Sequence, residues 1–195
     1  MDNSKTSETS GGRAAYPGLR RPLLALFVVA LLAADLLTKS WAFSAVGDAH
    51  SRPLLGTWLS VYCITNPGGI WGLGQALTLP LTLVRLLAVG VLLFFVTRQP
   101  RGNRTGIFVL GLLLAGALGN LYDNLAPVMP WPGDGTVRDF VMVYFTEPGW
   151  WPDAVAWPFD PWPIFNLADS CIFAGFVLLL LGAAHLQVKR TAATG

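Results

Sequence analysis

Four uninterrupted apolar stretches, at about residues 22–43, 76–96, 105–125 and 164–186, limit this chain more than any other feature of it. Each is long enough to cross a hydrocarbon layer of about 30 Å as a helix. Inside lipid the backbone must satisfy its own hydrogen bonds, so segments of this kind fold as helices. Only 12% of the residues are charged, about half the usual share for a soluble domain, and the mean hydropathy is +0.54. The expected fold is an all-α integral membrane protein with four transmembrane helices, a small extracytoplasmic β element and an interfacial loop. No internal repeat or second domain is evident, so residues 22–188 form one membrane domain between tails at 1–21 and 189–195.

The basic residues orient this bundle. Lys5, Arg13, Arg20 and Arg21 precede the first span, Arg98, Arg101 and Arg104 lie between the second and third, and Lys189 and Arg190 follow the fourth. The other two connections hold only Arg52 and Arg138. The bias places both termini in the cytoplasm and the two long connections outside. Spread over helix ends, these charges make no nucleic-acid footprint. Residues 1–19, rich in Ser, Thr and Gly, read as a disordered tail. The first apolar run continues through Trp41, Ala42 and Phe43, which favours a retained span over a cleaved signal peptide. His50, His185, Cys63 and Cys171 match no ligand spacing, so neither metal nor cofactor is expected.

Against this background the polar residues in or beside the spans stand out, because an ionisable group there is expensive. Asp35 and Lys39 fall at i and i+4 in the first span, acid before base, as a helical ion pair prefers. Arg85 lies at mid-depth in the second span, with Asp35 as its expected partner. Between these spans, 57–65 alternates as a strand would and leads into the turn Asn66-Pro67-Gly68-Gly69. The third span carries Gly111, Ala115 and Gly119, a small-residue stripe suited to close helix packing. It ends with Asn120 and Asp123 on one face. Asp139 lies in a short extended or re-entrant piece at 137–141, and Asn166 and Asp169 open the fourth span. The loop at 144–162 holds Trp150, Trp151, Trp157 and Trp162, residues that settle at the headgroup level. Asp153 and Asp160 in that loop read as solvated.

Five of these pieces, in register, resemble the lipoprotein signal peptidase (signal peptidase II) family of intramembrane aspartic proteases. They are Asp35-Leu36-Leu37-Thr38-Lys39, Asn66-Pro67-Gly68, Gly119-Asn120-Leu121-Tyr122-Asp123, Val137-Arg138-Asp139-Phe140 and Phe165-Asn166-Leu167-Ala168-Asp169. Asn124 departs from the pattern, standing where the family usually has Arg. The resemblance implies a catalytic pair, Asp139 and Asp169, supported by Asn66, Gly68, Asn120, Asp123, Asn166, Ala168, Asp35 and Lys39. It implies an aspartic endopeptidase of the bacterial cytoplasmic membrane, active at the outer face. That enzyme would remove signal peptides from diacylglyceryl-modified prolipoproteins by cleaving before the lipidated Cys. Lipid-modified prolipoproteins and membrane lipids are the implied partners, a globomycin-type cyclic peptide the implied inhibitor. Three rivals fit less well, one of them a catalytically dead relative acting as a lipoprotein-binding protein, which Asn124 would favour. A presenilin-like protease using Tyr122 and Asp123 would need a Gly-x-Gly-Asp helix that is missing, and a proton-coupled transporter using Asp35, Asp123 and Asp169 would need an inverted repeat.

Overall fold

The computed structural model describes residues 21–67, 78–100, 102–145, 160–183 and 186. The tails expected at 1–21 and 189–195, apart from Arg21, which begins the first helix, lie outside the described residues, as do Gly68, Asp153 and most of the Trp-rich loop. Among the described residues three helices are long and apolar enough to cross a membrane: α1 (Arg21–Ala45), α2 (Thr78–Arg98) and α3 (Arg104–Leu125). Where the fourth span was expected the chain forms α4 (Leu167–Leu180), 14 residues long, or about 21 Å at the helical rise, shorter than a full crossing of about 30 Å.

Helix α3 is the axle, packing against α1, α2 and α4. Its composition explains this position, since Gly111, Gly116 and Gly119 leave no side chain in the way. A Cβ on Gly111 would meet Leu24 and Phe27 of α1 at 2.9 and 3.0 Å. At Gly116 it would collide with the backbone carbonyl of Ala168 in α4. Most of the apolar side chains of α2, including Leu79, Leu83, Leu86 and Leu87, face outward, as a helix in lipid contact requires. At its start α3 is capped by Asn103, whose Oδ1 accepts from the Gly106 N–H at 3.1 Å.

Three antiparallel strands, β1 (Ser51–Leu55), β2 (Leu59–Asn66) and β3 (Val137–Val143), form one sheet in the order β1-β2-β3. The run expected at 57–65 is β2, shifted by one or two residues, and the piece at 137–141 is a strand of the sheet. Strand β1 has no counterpart in the sequence reading. All of it is exposed, and Pro53 is tolerated there because β1 is an edge strand. Ala42, Val61, Cys63 and Phe140 are buried together, fastening the sheet to the last turns of α1.

β3 also reaches forward to α4. The amides of Phe140 and Val141 both donate to the Phe165 carbonyl, at 3.1 and 2.8 Å, and the Phe165 N–H returns to the Val141 carbonyl at 3.2 Å. This short bridge sets Asp139 beside the residues that start the last helix.

Candidate active site

The site grows from the first turn of α4. Asn166 is its N-cap, with extended backbone, and its Oδ1 accepts from the Asp169 N–H at 2.9 Å. Asp169 Oδ2 accepts in return from the Asn166 N–H at 3.1 Å, which completes a capping box. The pair is therefore joined across the helix start, with Asn166 outside the helical turn as its cap.

The Asn166 side chain has a second task. Its Nδ2 donates to Asp139 Oδ1 at 2.7 Å and to Asn120 Oδ1 at 3.1 Å. Asn120 Nδ2 donates to Asp169 Oδ1 at 2.7 Å, and Asn66 Nδ2 donates to Asp139 Oδ2 at 3.1 Å. Two carboxylates 30 positions apart in the chain thus hang on one amide network drawn from β2, β3, α3 and α4. Asp139 is 2% exposed, whereas Asp169 is partly open. Burial, and then the neighbouring Asp169 charge, push the Asp139 carboxyl up to about 7, against smaller opposing effects of the Asn66 and Asn166 hydrogen bonds.

Below this pair lies a buried ionic cluster. Lys39 is fully enclosed and its Nζ lies 2.8 Å from Asp35 Oδ2 and 3.1 Å from Asp123 Oδ2. It also donates to Asn120 Oδ1 at 3.2 Å, which links the cluster to the amide network. Arg138 closes the far side, with Nη2 2.7 Å and Nε 3.1 Å from Asp123 Oδ1. Asp35 Oδ1 accepts from the Ala168 N–H at 2.8 Å, tying α1 to the start of α4. Buried charges of this kind hold only when paired and hydrogen-bonded, and here every one is.

Two expectations need correcting. Asp35 does not pair with Arg85, because Lys39 and the Ala168 amide already take its two oxygens; Arg85 instead donates from Nη1 to Asn124 Oδ1. Asp160 is not simply solvated, since its Oδ1 accepts from the Phe145 N–H at 2.9 Å. Of the expected site residues, Asp35, Lys39, Asn66, Asn120, Asp123, Asp139, Asn166, Ala168 and Asp169 all meet in this network, and Gly68 falls outside the described residues. Arg138 was not foreseen as a member. Arg138 carried one usable signal: it neighbours Asp139 in a strand and is one of only two basic residues in the outer connections.

Apolar helices closing over a polar cluster at one end define an integral membrane protein with a protected site. Two solved structures of a bacterial membrane enzyme, obtained by the in meso method, share this fold. One aligns with a TM-score of 0.68 at 23% identity over 86% of this chain and 90% of its own. The other aligns at 0.69 and 22%, over 87% and 97%. The sequence model described as "Signal peptidase (SPase) II" matches residues 27–185. A lipoprotein signal peptidase of Rhodococcus jostii is 36% identical over 92% of this chain and 82% of its own length. One of Streptomyces griseus is 34% identical over 83% and 74%. The chain belongs to the signal peptidase II family, and by that membership it is a membrane protease that processes lipoproteins.

Proposed function

We propose that this protein removes the signal peptide of diacylglyceryl-modified prolipoproteins, cutting before the lipidated Cys with Asp139, Asp169 and one water. The observation that carries this reading is the Asn166 bridge, which binds Asp139 through its side chain and Asp169 through its backbone N–H. Two carboxyls in one network ionise as a pair and share a proton. Asp139, buried and raised to about 7, is the better holder of that proton and hydrogen-bonds the scissile carbonyl. Asp169, the more open of the two, takes a proton from the water as its oxygen bonds to the carbonyl carbon. The proton later passes to the leaving amine as the C–N bond breaks.

In this reading α4 is the fourth span, both termini are cytoplasmic and the site opens on the outer face of a bacterial inner membrane. Asn66, Asn120 and Asn166 orient the carboxylates without adding charge. Asp35, Lys39 and Asp123 hold the helices that carry them. The test is cleavage of a lipid-modified prolipoprotein by the purified protein in detergent. Asp139→Asn and Asp169→Asn should each lower the rate by roughly 10²–10⁴, and a globomycin-type cyclic peptide should compete with the substrate. Near-normal cleavage by either variant would sink the dyad.

A further inference from the structure

Resting on the reading just given, we infer that Arg138 is a positioning residue for Asp139, the carboxyl that follows it in β3. It acts through Asp123 and not by touching the substrate. Successive side chains leave a strand on opposite faces. The Asp139 carboxyl turns to Asn66 and Asn166, whereas the Arg138 guanidinium lines a separate cavity of about 200 Å³ with Phe43, Thr65, Asp134 and Thr136. Thr65 is its partner across the ladder, which puts both on that far face. β3 ends the sheet, so its free edge at Arg138 needs partners other than a strand. The Arg138 N–H donates to Asp123 Oδ2 at 3.2 Å, and the Arg138 carbonyl accepts from Asn166 Nδ2 at 3.4 Å. The guanidinium grips the other oxygen, Asp123 Oδ1, from Nη2 at 2.7 Å and from Nε at 3.1 Å. Lys39 holds Oδ2 from α1 at 3.1 Å. With both oxygens engaged, Asp123 keeps one orientation and pins the backbone one residue before Asp139. Of the two cations on Asp123, the Lys39 side chain is enclosed and that of Arg138 is 26% exposed. The guanidinium is therefore the part of the clamp that a small solute in the cavity can reach.

A reacting carboxyl slightly out of place still lets substrate bind but slows the chemical step. Arg138→Ala should therefore lower kcat for prolipoprotein cleavage by roughly ten- to hundredfold with KM nearly unchanged, the mark of an interaction felt in the transition state. Arg138→Lys, which keeps the charge without the planar fork, should lose less, and it reads the same split should the Ala variant fail to fold. Because the guanidinium works through Asp123, adding Arg138→Ala to Asp123→Asn should lower kcat no further than Asp123→Asn alone. Millimolar methylguanidinium should enter the cavity and restore part of the kcat of Arg138→Ala, and sodium chloride at the same concentration should not. A residue that merely braced the fold would lower the melting temperature and leave kcat of the folded protein intact. An unchanged kcat, a loss confined to KM or additive losses in the double variant would each overturn the inference. So would a folded Arg138→Ala protein that methylguanidinium does not rescue, or that sodium chloride rescues equally. Wild-type protein that leaves the prolipoprotein intact would overturn the function itself, so the two failures are distinct.

Discussion

Asp139 carries a pH signature set by its burial. Its folded pKa, about 7, is raised above the ordinary aspartate value of 3.8, so the folded protein holds a proton that the unfolded chain releases. The sign follows from proton linkage. Stability is greatest below the unfolded value and declines as pH rises toward 7, by at most roughly 4 kcal/mol in all. Thermal unfolding in detergent should show melting temperature falling between pH 4 and 8. Asp139→Asn, which has nothing to ionise, should flatten that fall while abolishing cleavage. Nothing in the sequence distinguished Asp139 from a solvated loop aspartate except the apolar Val137, Phe140 and Val141 of its stretch and the family resemblance. What raises it is burial and then the Asp169 charge; its place in β3 against β2 depends on strand register, a long-range outcome that local pattern does not encode. The pairing of Arg138 with Asp123 escaped notice for the same reason.

Among the elements, the contact of α3 with α4 has the least slack. A Cβ on Gly119 would lie 2.6 Å from Asp35 Oδ2 and 3.0 Å from the Ala168 Cβ, so the small-residue stripe serves the ionic cluster as well as helix packing. Gly119→Ala should cost about 1–3 kcal/mol by overpacking, read as a lower melting temperature. It should also reduce cleavage, since Asp35 and the start of α4 must separate to admit the methyl group. A variant as stable and active as wild type would show that the gap is not needed. The apolar spans were legible because their pattern is long and strong, and the stripe because small residues recur at i, i+4. β1 was not, because an exposed edge strand needs no alternation and Pro53 argues locally against a strand.

For the whole molecule, the testable matter is which side of the membrane each connection faces. Cys63 and Cys171 are both buried, and burial raises the Cys63 thiol further out of reach of alkylation. A cysteine introduced at exposed Thr57, in the turn between β1 and β2, should react with an impermeant maleimide on intact spheroplasts. One at exposed Gly102, between α2 and α3, should react only after permeabilisation. The reverse pattern would invert the topology read from the basic residues. The Asn166 amide ties the start of the last helix to both acids, so the order of manufacture matters. On the dyad proposed above, a chain emerging from the ribosome assembles its cutting centre only when α4 docks. Until then it is harmless to the other newly made polypeptides around it.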